Sequence, residues 1–260
     1  MHTTRYQRLG VPSEWVTPDS IVARFTTFVQ QSLEKPANYY VRHVLVTNSI
    51  YTSSMYLYQD DHLKAKDWAV KILPFMEDYF FGPWQDLAPT GEKRELPPDR
   101  NWWLSNLTWK DDWEGCLAWG SALGEWDKLT HLATYFRDGV GGDMEQTWAN
   151  YYWHLLVAGV LTGRPESELA PYREKIAAGK GREKREQLLL AFLDAIRRGS
   201  DEELVAASSE YFKHYLKTDA KKKEVLAPLM FDGSFLVHFA KRAGRTVPIP
   251  ENIQDHLIAL

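Results

Sequence analysis

The sequence predicts an all-α protein: an array of antiparallel helical hairpins, TPR-like or α-solenoid-like, in a single domain. Three observations predict it. Apolar residues recur at three- and four-residue spacing along nearly the whole chain, which is the signature of a helix with one buried face. Glycines at 124, 163, 199 and 244 close successive apolar segments at intervals of 36 to 45 residues, the range of helix-pair repeats. Finally, no Asn-Gly or Asp-Gly pair sits between two alternating runs, so hairpin strands have no signal.

Taken in order, residues 1–16 read as an irregular arm. Thr17-Pro18 supplies an N-cap followed by proline at the first helical position, and Ile21, Phe25, Phe28, Val29 and Ser32 follow on one face. Pro36 ends that helix. A second helix is expected over residues 37–59 and a third over 61–80, the latter with Ala65, Ala69, Ile72, Leu73, Met76 and Phe80 on one face. Pro74 lies inside it and predicts a kink or an early end. Residues 82–101 hold four prolines and two glycines among many charges and form the longest loop. The chain thus divides into an N-terminal helical part (1–81), a long Pro/charged loop (82–101) and a TPR-like part (102–260), within one continuous domain.

Beyond the loop the pattern is regular. Trp113, Cys116, Leu117 and Gly120 mark one helix; Leu129, Leu132, Ala133 and Phe136 mark the next. Trp148, Tyr152, Leu155, Leu156 and Gly159 follow, then Leu189, Phe192, Leu193 and Ile196. Ser200 with Glu203 three residues on is a capping box, opening a helix with Leu204, Ser208, Tyr211, Phe212 and Tyr215. The last long helix carries Leu229, Leu236, Phe239, Ala240 and Ala243.

Composition bounds the function. At 260 residues, with 44% hydrophobic and 25% charged residues, the chain is that of a soluble globular protein. Eleven tryptophans, five of them between 111 and 164, read first as the spine of a core and second as interface anchors. The net charge is −4, and the basic stretches at 180–185 and 221–223 read as solvated charge, so nucleic acid is not an expected partner. A single cysteine, Cys116, excludes an intramolecular disulfide and a thiolate zinc site and fits a reducing compartment. With no apolar h-region at its start and no membrane-length apolar run, the chain is expected in the cytoplasm, off the membrane.

Chemistry-bearing motifs are missing. There is no HExxH, no His pair at i, i+4 and no EF-hand loop, so no metal is expected. Asp60-Asp61-His62 and Asp111-Asp112-Trp113-Glu114 carry acids where a helix dipole favours them anyway. Gly120–Gly124 is not a nucleophile elbow, and 139–142 lacks the Lys-Ser/Thr of a phosphate loop. Neither catalytic residues nor a cofactor is expected. A carboxylate pair among tryptophan platforms, as in a small glycan-processing helical enzyme, remains an alternative, as does a general peptide-binding scaffold.

From Asp112 onward the chain resembles the Imm49 family, all-α immunity proteins of bacterial polymorphic toxin systems. Asp112-Trp113 opens a helix, followed by Leu117-Ala118-Trp119 and the helix start at 127–132 (DKLTHL). An aromatic-rich helix occupies 149–158 (ANYYWHLLVA). His214-Tyr215, a charged run, Leu226-Ala227-Pro228-Leu229, the helix to Ala243-Gly244 and 247–257 (VPIPENIQDHL) complete the resemblance. It implies a non-enzymatic cytoplasmic protein that neutralises a cognate protein toxin by stoichiometric binding, and it carries over no catalytic residues. The residues expected to meet the partner are the aromatics and acids around the long loop: Trp84, Trp102, Trp103, Trp109, Asp111, Asp112 and Glu114.

Overall fold

The structure, a computed structural model, describes residues 3–16, 19, 22–23, 27, 39–81, 109–136, 149–179 and 184–260. The described residues are helical and contain no strand, so the protein is all-α. The loop at 82–101 and most of the first helix expected after Thr17-Pro18, including every residue of its expected apolar face, lie outside the described residues. The arm is less irregular than expected: α1 spans Arg5–Arg8 and a 3-10 turn spans Ser13–Trp15.

Helix α2 (Tyr39–Tyr58) is followed by α3 (His62–Ala69) and α4 (Ile72–Phe81). The single helix expected over 61–80 is therefore two. Proline removes its own N–H and crowds the carbonyl four residues back. Here that carbonyl belongs to Val70, where α3 has just ended, and Pro74 sits in the first turn of α4, where a proline is tolerated.

Next come α5 (Trp109–Ala122), α6 (Trp126–Ala133), α7 (Ala149–Leu161), α8 (Glu166–Ala177), α9 (Lys184–Arg198) and α10 (Asp201–Lys217). Helices α11 (Phe231–Arg242) and α12 (Glu251–Gln254) complete the chain. For helix α8 the sequence offers only the glycine rhythm, which places a partner helix two to five residues after Gly163, and no apolar stripe marks it. Only Leu169, Tyr172 and Ile176 of it are buried, and Pro171 interrupts its pattern.

The glycine rhythm has a physical basis at three of its four positions. Gly124, Gly163 and Gly244 have φ of +76°, +71° and +73°. At each, two hydrogen bonds close the helix: for Gly163 they are Gly163 N–H to Val160 O at 3.2 Å and Arg164 N–H to Gly159 O at 2.9 Å. Gly199 differs. A Cβ there would lie 2.9 Å from Ala195 Cα, so close approach rather than handedness demands glycine. The capping box at α10 forms as expected, with Glu203 N–H donating to Ser200 Oγ at 3.2 Å and Ser200 N–H to Glu203 Oε2 at 2.7 Å.

Sequential pairs α7/α8 and α9/α10 pack as hairpins. The array does not stay open, however. Helix α11 packs along α5, from which it is separated by more than a hundred residues of chain, and α9 touches α7 and α11. In an open solenoid each repeat meets only its neighbours. Trp113, Trp119 and Trp153 are fully buried and form part of one continuous core. Each contributes roughly 4–6 kcal/mol of burial before entropy is set against it. Phe80 of α4 stacks on Tyr135 at 4.3 Å and meets Phe136, which in turn lies 4.6 Å from Trp113, locking α4, α5 and the end of α6 together. Among the described residues no helix is long and apolar enough to cross a membrane.

Candidate functional site

A cavity of about 560 Å³ opens where α2, α5, α9 and α10 meet the segment at 218–230. Its size is that of a ligand pocket. Helix α2 turns Thr47, Ile50 and Tyr51 into it, three residues that helical spacing places on one face. Helix α5 contributes Asp112 and Glu114, α7 Asn150, α9 Arg185, and α10 the pair Tyr211 and Tyr215. Asp219, Lys222, Glu224, Leu226 and Leu229 come from the 218–230 segment, and Phe231 from the start of α11.

That segment has little regular structure, so side chains hold it. Tyr58 of α2 donates its hydroxyl to Val225 O, and Tyr215 donates to Ala227 O, both at 2.7 Å. Burial pushes both phenols above their ordinary range, which keeps them protonated and donating. From the other side, Met230 N–H donates to His256 O at 2.8 Å.

Arg185 is the electrostatic centre. Its guanidinium meets Glu114 Oε2 at 3.1 Å and makes a close ion pair with Asp232. Glu186 lies 3.4 Å away and Asp219 3.9 Å away. The surrounding carboxylates hold Arg185 well above its usual value against the opposing effect of burial. Asp232 is wholly buried and also accepts from Trp153 Nε1 at 3.1 Å. Burial first, and the charge of Glu114 second, push its carboxyl up to about 7. Asp112 is held on the α2 side, with His43 Nδ1 at 2.6 Å from Oδ2 and Thr47 Oγ1 donating to Oδ1 at 2.9 Å.

Among the described residues that line the cavity, four carboxylates (Asp112, Glu114, Asp219, Glu224) face two cations (Arg185, Lys222). Two buried acceptor atoms there, Asn150 Oδ1 and Asp219 Oδ2, have no hydrogen-bond partner among the described residues. Negative charge is therefore in excess along the cavity wall. No group of three or more His, Cys, Asp or Glu side chains able to hold a metal ion occurs among the described residues.

The residues singled out from sequence fare unequally. Trp84, Trp102 and Trp103 lie outside the described residues, and so do the side chains of Trp109 and Asp111, whose backbone forms the first turn of α5. Asp112 and Glu114, expected to meet the partner, are only 2% and 8% exposed, so they are not free surface acids. They reach the cavity wall from inside the bundle, because α5 is packed by α2 on one side and α11 on the other. The basic stretch at 180–185 is corrected in part, since Arg185 is not solvated but drawn into carboxylates. Sequence reasoning missed Asn150, Arg185, Tyr211, Asp219 and Asp232 as site residues. The one available signal was Arg185, a cation at the second position of a helix, where the dipole disfavours it. No protein-family model matches the chain, and neither a curated protein nor a solved structure matches it.

Proposed function

We propose that the protein is a stoichiometric protein-binding inhibitor, an immunity protein that neutralises a cognate toxin by covering its functional face. The observation that supports this reading best is the acidic cavity beside α2 and α5, with its excess of carboxylates and its unfilled acceptors. A basic side chain of the partner enters the cavity, and the surrounding helical surface blocks access to the toxin. The net charge of −4 accelerates encounter with a basic partner more than it deepens affinity. The resemblance of residues 112–260 to immunity proteins points the same way.

The test is genetic and biochemical. The product of the neighbouring gene, expressed alone, is expected to arrest growth of a host strain. Co-expression with this protein is expected to restore growth, and the two are expected to co-elute at equal stoichiometry. A harmless neighbour, or arrest that persists on co-expression, overturns the reading.

A glycan-cleaving enzyme is the second reading, because Asp112 and Glu114 both reach one cavity. Two features weigh against it. Asp112 is engaged by His43 and Thr47, and Glu114 by Arg185. The carboxyl raised toward neutrality, Asp232, is sealed behind Arg185 rather than lining the cavity, whereas a general acid must touch the leaving oxygen.

A further inference from the structure

We infer that the cavity is a receptor for the guanidinium of an arginine side chain presented by a partner protein. This rests on the protein-binding reading above and names the chemistry that its cavity selects. Four features carry it.

The first is the sign of the charge. Arg185 lines the cavity, yet Glu114 and Asp232, which both take its Nη2, already match its charge, so it is a poor anchor for an anion. Of the other lining charges, Asp112, Asp219 and Glu224 outnumber the single cation Lys222, so the remaining field is negative.

The second is the polarity of the unsatisfied groups at the wall, which a ligand reaches only as the lining side chains shift. Asn150 Oδ1 and Asp219 Oδ2 are both acceptors, both buried, and both without a hydrogen bond among the described residues. They come from α7 and from the 218–230 segment, so a ligand that satisfies both must donate in more than one direction. A guanidinium offers five N–H donors in a rigid plane, whereas an ammonium offers three on a point charge.

Third is the wall. Tyr51, Tyr211, Tyr215 and Phe231 surround the carboxylates with rings. Flat, weakly hydrated guanidinium groups stack on aromatic faces and lose less hydration on entering such a site than ammonium does.

The fourth is a built-in competitor. Lys222 Nζ meets Asp219 Oδ1 at 2.7 Å, and the lysine side chain is more than half exposed at the rim. It holds the carboxylate while the cavity is empty and can swing into solvent when a better cation arrives.

The test is calorimetric titration of the full chain with three probes: a capped Gly-Gly-Arg-Gly-Gly peptide, its lysine counterpart, and agmatine, a free alkylguanidine. The arginine peptide is expected to bind saturably, at least about threefold more tightly than the lysine peptide, and more weakly as salt is raised. Asp219→Asn is expected to weaken it by about tenfold or more, since hydrogen bonds to charged groups are the strong ones. Asn150→Leu is expected to weaken it as well. Lys222→Met is expected to tighten binding about threefold, because the competing cation is gone. That gain separates recognition from damage, for a merely destabilised fold does not bind better. Thermal melts of each variant confirm that the chain is folded.

No saturable binding up to about 5 mM of the arginine peptide overturns the inference. So does equal binding of the lysine peptide, unchanged affinity in both Asp219→Asn and Asn150→Leu, or binding of agmatine with exclusion of the peptide. The protection assay is scored separately. If toxin protection holds but the peptide does not bind, this inference fails and the immunity reading stands. If the peptide binds as expected but no protection is seen, the reverse follows.

Discussion

Arg185 sits where the helix dipole rejects a cation, and it stays there because two largely buried carboxylates require it. Asp232 is wholly inside the protein and Glu114 nearly so. Removing one partner of such a group leaves charge stranded in low dielectric, which costs about 3–5 kcal/mol. Arg185→Met is therefore expected to lose roughly that much stability, read from urea denaturation, although methionine fills similar space. Asp232 adds a pH dependence with an unusual sign. Its folded carboxyl titrates at about 7, whereas an unfolded aspartate titrates near 3.9. The folded state holds that proton more tightly, so the contribution to stability is full below about pH 4 and lost as pH rises through 7. His238 and His256, both held below their usual value by burial, contribute the opposite slope. The contribution of Asp232 is isolated by comparison with Asp232→Asn: the stability difference, wild type minus variant, is expected to fall between pH 4 and pH 7. A difference that stays flat across that window contradicts the assignment.

At the scale of elements, helix ends carry most of the local information. The Ser200–Glu203 box satisfies two orphan N–H groups at the start of α10. Ser200→Ala is expected to cost about 1 kcal/mol, visible as a lowered melting temperature. Gly163 makes a cleaner case. Nothing lies within 4 Å of where its Cβ would sit, so Gly163→Ala introduces no clash. Its cost is the left-handed backbone alone, about 1–2 kcal/mol, and a calorimetric melt that shows no loss contradicts this. The split of α3 from α4 follows the same logic in reverse. A proline in the first turn is harmless to the helix it opens and terminal to the one before it.

The whole molecule is closed by its ends. Arg5 is only 4% exposed and donates to Asp255 O at 2.7 Å and to the carbonyls of Gln254 and Leu257. Its own N–H donates to Asp60 Oδ2 at 2.9 Å, and Arg8 bridges Asp60 and Asp255. Asp60 has a φ of +59°, a conformation that aspartate tolerates better than most residues. One clasp thus joins the arm, the α2–α3 turn and the C-terminal segment. Arg5→Met is expected to lose about 2–3 kcal/mol, since buried carbonyls lose a charged donor. The loss should be nearly independent of salt, because the contact is buried, and denaturation at low and high ionic strength checks this.

The sequence by itself determined the all-α class, the capping box at Ser200, the glycine ends at 124, 163 and 244 and the buried tryptophans at 113, 119 and 153. Each depends on local backbone geometry or on the periodicity of one face, and these are written within a few residues of each other. The buried face of helix α8 was not legible because little of it is buried and Pro171 breaks its pattern. Only the tertiary structure decided that α11 returns to α5, that Asp112 and Glu114 face inward and that Arg185, Asp219 and Asp232 converge. Arg185 lies 71 positions from Glu114 and 47 from Asp232 in the chain. Their meeting depends on how helices pack, and no local spacing encodes that.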